Sequence, residues 1–112
     1  MATSNPDAKV IRLVFAGPLT VAVDRDVHAR LRQALEADGE LEIDASGATD
    51  MDISFLQMLL AARRTALLRG RSVRLVPPAG GILLDTLRRA GLVAADPELS
   101  YSGEGFWRGE SA

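Results

Sequence analysis

The chain has 112 residues, 47% of them hydrophobic, and a net charge of −2. This length predicts one domain with a real core, and the interspersed acids and bases provide no basic surface for nucleic acid. The absence of cysteine excludes disulfides and thiolate metal sites, and a single histidine, His28, excludes a histidine-based metal cluster. We therefore expect no metal ion and no cofactor.

The beginning of the chain is small and polar. Residues 1–8 are predicted to be disordered, and they lack the apolar core of a signal peptide. No apolar run approaches the roughly 20 residues that span a bilayer. We expect a cytoplasmic protein without direct membrane insertion.

Strands and helices are predicted to alternate from residue 9 to residue 92. Apolar runs bounded by Gly and Pro predict strands, and apolar residues three or four apart predict one-sided helices. Such alternation indicates an α/β layer with right-handed crossovers and an at least partly parallel sheet. The predicted order is strand 9–15, helix 21–37, strand 41–44, helix 52–69, strand 72–76 and helix 82–90.

Several residues are predicted to end these elements. Gly17-Pro18 should end the first strand, which is so continuously apolar that we expect most of its surface to be covered. A polar turn should follow Asp44 at the end of the second strand. Gly91 suits the left-handed position after the last helix, where Leu92 can contact Leu87 in a Schellman motif.

The tail, residues 93–112, is too aromatic for a simple solvated segment, yet its glycines discourage regular structure. The pair Phe106-Trp107 either packs on the domain or is offered to a partner.

Ser54 is the most informative single residue, because it stands in the first turn of the predicted second helix. A phosphate there would lie near free backbone N–H groups and the positive end of the helix dipole. The alternative is structural, since serine commonly caps helix starts. Asp44 and Asp52 are likewise interpreted as a turn former and a helix cap in preference to an acid–base pair.

Several motifs occur in a fixed order: Asp44-Ala-Ser-Gly47, Asp52-x-Ser54, Leu56, Leu59, Gly70, and Arg89-Ala-Gly-Leu92 after a proline-bearing turn. In this combination they resemble the STAS domain family, which includes bacterial anti-sigma factor antagonists. The resemblance covers about residues 10–92. It implies a STAS-like α/β fold, a small mixed β-sheet with about three to four helices packed mainly on one side.

The resemblance also implies a regulatory mechanism without catalysis. In regulatory members, a serine kinase that acts as an anti-sigma factor phosphorylates one serine at the start of the second helix and then releases the protein. That serine corresponds to Ser54, and Asp44 and Gly47 support the motif. The usual Asp-Ser-Ser-Gly-Leu has become Asp52-Ile53-Ser54-Phe55-Leu56, in which Phe55 narrows the approach to the acceptor.

The motif Asp-x-Ser-Phe-Leu-Gln resembles that of small single-domain STAS proteins of chemotaxis and two-component systems. The expected partner is therefore a regulatory serine kinase or anti-sigma factor, or a histidine-kinase-linked signalling protein. Residues one and two apart on a helix diverge, so at least one of the apolar residues near Ser54 should be exposed. The predicted partner-binding residues are Asp50, Met51, Asp52, Ile53 and Phe55.

Two other functions remain open. Some STAS proteins attach to lipid-transport ABC ATPases, where the domain is a constitutive subunit. The third possible function is that of a small enzyme or nucleotide-binding domain. The sequence contains no Gly-rich phosphate-binding loop to support it.

Overall fold

The structure, a computed structural model, describes residues 9–92 and 104–109. Within these residues it contains three strands, four α-helices and one short 3-10 helix. In chain order they are β1 (Val10–Leu19), the 3-10 helix (Val21–Val23), α1 (Asp24–Glu36), β2 (Glu40–Met51), α2 (Ile53–Leu68), β3 (Val73–Leu75), α3 (Gly81–Arg89) and α4 (Glu104–Trp107). No helix in these two ranges combines the length and the apolar character required to cross a membrane.

The strands form one sheet in the order β1-β2-β3, and both described strand pairs are parallel. Parallel strands require a crossover between them, and α1 and α2 supply it. The predicted α/β class is confirmed. The resemblance implied a mixed sheet, whereas the pairing in the described part of the chain is parallel throughout.

The helices cover one face of the sheet. Alternate residues of each strand point into the core, and the intervening ones face the other way. Val10 and Val14 are 50% and 47% exposed, so the expectation that most of the first strand is covered was wrong. The buried sheet positions are Phe15, Leu19, Leu41, Ile43, Ala45, Met51, Val73 and Leu75.

The first strand does not end at Gly17-Pro18, as was predicted, but continues to Leu19. The register shifts between Val14 and Ala16 and again between Gly17 and Pro18. Since β1 lies at the edge of the sheet, a proline without an N–H is tolerated there, and the irregularities absorb the local mismatch.

The second strand is likewise longer than predicted, because its polar second half pairs with the extension of β1. Leu19 pairs with Met51, so Asp44 lies inside β2 and not at its end. Gly47 pairs near Ala16, where an added Cβ would come within 3.1 Å of the Ala16 side chain. A close approach of two strands therefore accounts for this glycine.

The three longer helices follow their predicted positions to within a few residues, whereas no helix was predicted for α4. At the end of α3, Gly91 has φ 72°, and its N–H donates to the Arg88 carbonyl at 3.1 Å. The Leu92 N–H donates to the Leu87 carbonyl at 2.9 Å. These two bonds confirm the predicted Schellman motif.

The aromatic pair of the tail is buried. Phe106 and Trp107 are the last two residues of α4, and their ring centroids lie 5.0 Å apart. The Ala79 N–H donates to the Trp107 carbonyl at 2.8 Å, which attaches α4 beside β3. Residues 1–8, 93–103 and 110–112, including the segment predicted to be disordered, lie outside the described residues.

Candidate functional site

The starts of α1 and α2 meet at one edge of the sheet. Because β1 and β2 are parallel and Leu19 pairs with Met51, both strands end side by side. The chain enters the 3-10 helix after β1 and α2 directly after β2. The Asp52 N–H donates to the Leu19 carbonyl at 3.0 Å and links the two exits.

Two reciprocal hydrogen bonds hold these helix starts together. The Val21 N–H, before α1, donates to Asp52 Oδ2 at 2.9 Å. The Ser54 hydroxyl, in α2, donates to Asp24 Oδ1 at 3.1 Å. We call the four residues Val21, Asp24, Asp52 and Ser54 the two-helix junction. Each helix start contributes one carboxylate to the other.

Ser54 is half-buried and is the second residue of α2. The N-cap position belongs to Asp52, and its side chain makes no capping hydrogen bond, since its carboxylate is turned to Val21. Ser54 is therefore not the helix cap. Its hydroxyl donates to Asp24 and so contacts α1.

The apolar side chains around Ser54 divide sharply. Ile53 is 49% exposed, as the diverging helical positions predicted for at least one of them. Met51 and Phe55 are buried in the core, so the expectation that they offer side chains to a partner was wrong. Phe55 packs edge-to-face on Phe15 with centroids 5.5 Å apart, which ties the start of α2 to β1.

The charges beside the junction are mixed. Asp24 and Asp26 lie in the first turn of α1, where carboxylates favour the helix dipole. Asp50 is exposed and accepts the Met51 N–H at 2.8 Å. It also lines a shallow pocket of about 380 Å³ with residues of α3. The pocket is lined by Thr49, Asp50, Ile82, Asp85, Arg88 and Arg89.

Asp44 and Gly47, the two motif residues, lie along β2 and not in the junction. Asp44 accepts the Ser46 N–H and hydroxyl at 2.9 and 2.6 Å, and an Arg12 guanidinium N–H at 2.8 Å. The Ser46 hydrogen bonds, assisted by Arg12, lower the pKa of Asp44 from its usual value. These residues support the exposed side of the sheet.

Sequence reasoning missed Asp24 as a partner of Ser54. The two residues are 30 positions apart, and an acid in the first turn of α1 suits the helix dipole without any further partner. The α3 residues Arg88 and Arg89 likewise suit the last turn of their own helix, so the sequence does not indicate that they line a pocket with Asp50. No local pattern could have joined either set to the start of α2.

The fold and this site define a small α/β domain with a serine at the start of its second helix. The model of the STAS_2 family, described as "Mlab, STAS domain", matches residues 2–95. The chain therefore belongs to the STAS_2 family, and STAS domains are generally non-catalytic regulatory modules. No curated protein matches the chain.

Proposed function

We propose that this protein is a non-enzymatic binding module whose docking is gated by phosphorylation of Ser54. Its partner is a regulatory serine kinase or anti-sigma factor, or a histidine-kinase-linked signalling protein. The docking surface comprises Asp50, Asp52, Ile53 and Ser54. The observation that carries the proposal is the half-buried Ser54 next to the exposed Ile53.

Phosphorylation would change this surface strongly. A phosphoryl group adds about −1.5 to −2 charges at neutral pH and three acceptor oxygens. The N-terminal amides of α2 stabilise such an anion by about 0.3–1 kcal/mol at an exposed site. A partner that covers Ile53 with apolar surface would have to desolvate the phosphate, so binding is lost while the core persists.

The test compares the affinities of wild type, Ser54→Ala and Ser54→Glu for kinases encoded by neighbouring genes. Ser54→Glu should weaken binding at least about tenfold, or 1.4 kcal/mol, because it places a fixed charge beside Ile53. Ile53→Ala should cost about 1–2 kcal/mol if this side chain is a binding anchor.

Gln33→Glu is the matched control, since it adds the same charge at an exposed position of α1 away from the junction. It should leave the affinity unchanged. Equal affinities of wild type and Ser54→Glu would contradict the switch.

A second candidate is a constitutive subunit of a lipid-transport ABC ATPase. The observation that favours it is the Ser54–Asp24 hydrogen bond, which gives the hydroxyl a structural use without any modification. Co-purification with an ATPase, together with unmodified Ser54 in cells by mass spectrometry, would select this function. In that case Ser54→Ala should weaken assembly with the ATPase only by as much as it lowers the stability of the domain.

A further inference from the structure

The start of α1 is held more weakly than its end. The 3-10 helix before α1 has no fully buried residue: Val21 is 66% exposed, and Val23 is only partly buried where it packs against the core. At the other end, Arg71 donates to the carbonyls of Ala34 and Gly39 at 2.8 and 3.0 Å. Arg69 adds a bond to the Leu35 carbonyl at 2.9 Å.

We infer that Asp24 is the positioning residue of the Ser54 switch, and that phosphorylation of Ser54 separates the start of α1 from α2. This inference rests on the proposed function and specifies how the modification is read. Before phosphorylation, the Asp24 carboxylate orients the Ser54 hydroxyl by accepting its hydrogen bond. After phosphorylation, the same carboxylate repels the phosphate.

The covalent step removes the attraction directly. Ser54 Oγ forms a bond to the terminal phosphorus of a kinase-bound nucleoside triphosphate, and the bond from that phosphorus to its bridging oxygen breaks. The hydroxyl proton leaves to the kinase's base. Oγ then has no hydrogen to donate to Asp24. The phosphate brings about two negative charges next to that carboxylate, which lay 3.1 Å from Oγ in the hydrogen bond.

Relief of this repulsion should move α1 and not α2. The phosphate is covalently attached to α2, whose N-terminal amides favour an anion, and Phe55 and Leu56 anchor that helix start in the core. Asp24 precedes the first buried residue of α1, Val27, by almost one turn. The segment from Val21 to Asp24 can therefore swing outward while the rest of α1 stays packed.

The displacement would alter the surface that a partner meets. Val21 loses its hydrogen bond to Asp52, and the exposed apolar side chain of Val21 moves relative to Ile53. A partner would then detect both the charge of the phosphate and the changed shape of the junction.

The test measures amide hydrogen exchange of Val21 and Val23 by NMR in four full-length variants. Ser54→Glu and its neutral isostere Ser54→Gln are each made with Asp24 and with Asp24→Asn, which keeps an acceptor oxygen but removes the charge. With Asp24 present, exchange in Ser54→Glu should exceed that in Ser54→Gln by about tenfold. With Asp24→Asn this ratio should fall to about one.

Asp26→Asn is the control, because it removes the same charge from the same helical turn at an exposed position. It should leave the tenfold ratio largely intact. Enzymatically phosphorylated protein provides a second measurement with the full phosphate charge, and it should show the same dependence on Asp24.

A ratio of one in both backgrounds, in glutamate and phosphorylated proteins alike, would overturn the inference. An exchange rate that rises equally from Ser54→Gln to Ser54→Glu with Asp24 and with Asp24→Asn would also overturn it, because the repulsion would then not come from Asp24. Partner affinity is measured separately on the same variants. Loss of binding in Ser54→Glu without faster exchange would leave the proposed function standing and refute the displacement, whereas faster exchange with unchanged affinity would refute the proposed switch alone.

Discussion

Asp44 shows how a single motif residue can be structural without touching the candidate site. Its carboxylate accepts three hydrogen bonds, two from Ser46 and one from Arg12. These bonds favour the charged form. In the folded protein they therefore hold the pKa of Asp44 below its usual value of 3.8. Its contribution to stability is therefore complete above that usual value and is lost as the pH falls through the lowered pKa.

We expect Asp44→Asn to lower the free energy of unfolding by about 1 kcal/mol at neutral pH, a value reduced for screening because Arg12 is partly exposed. The wild type should lose this advantage below about pH 4, so the two stabilities should converge in acid. Urea unfolding from neutral pH to about pH 2.5 measures both effects.

Glu42→Gln is the matched control, because Glu42 meets the same arginine at a longer distance of 3.3 Å. It should change stability by less than Asp44→Asn. A constant difference between wild type and Asp44→Asn down to the lowest pH would show that the lowered pKa of this carboxyl does not contribute.

The residues around Ser54 mark how far local reasoning extends. Helical divergence predicted that not all of Met51, Ile53 and Phe55 could be buried, and Ile53 is exposed. Which of the three it would be depended on the direction of α2 over the sheet. Phe55 contacts Phe15, which is 40 positions earlier in the sequence, so the apolar spacing within α2 could not predict this contact.

At the scale of elements, α4 is a short helix whose stability comes from packing. Four residues are too few for an isolated helix in water. Phe106 and Trp107 are nevertheless buried beside β3, and Arg74 Nε donates to the Gly109 carbonyl at 3.2 Å. The aromatic side chains, and not the helix itself, therefore hold this segment in place.

We expect Trp107→Ala to lower the free energy of unfolding by about 3 kcal/mol, because it removes a large buried ring and its contact with Phe106. The measurement is urea unfolding followed by far-ultraviolet circular dichroism. Leu68→Ala is the control, since Leu68 is 81% exposed and should cost only a few tenths of a kcal/mol. Similar small losses in both variants would contradict the docking of α4.

The strands were harder to delimit than the helices. Each of the three longer helices has its own apolar stripe and end signals, so its bounds followed from local sequence. The second half of β2 is polar, and it is a strand because residues from Ala16 to Leu19 pair with it. Such pairing is decided between distant segments, and the local turn signals at Gly17, Pro18 and Gly47 pointed the other way.

At the scale of the whole molecule, one core joins the sheet, the three longer helices and α4. Trp107 is the only tryptophan of the chain, and α2, β3 and α3 separate it from α1 in the sequence. Because it belongs to the same buried cluster as α1 and α2, its environment should change together with theirs.

We therefore expect the urea unfolding curves from Trp107 fluorescence and from circular dichroism to have the same midpoint. A single cooperative transition is typical of a domain of this size. An earlier midpoint by fluorescence would identify α4 as a separate unit that detaches before the domain unfolds.

The sequence by itself determined the α/β class, the order of the elements up to α3, the ends of the three longer helices and the place of Ser54 at the start of α2. These are local properties, because apolar spacing and Gly and Pro positions act within a few residues. Only the tertiary structure decided that Ser54 meets Asp24, that Ile53 alone of its apolar neighbours is exposed, and that β1 and β2 extend together. Parallel pairing brings two helix starts to one edge of the sheet, and that encounter joins segments about 30 residues apart, beyond the reach of any local pattern.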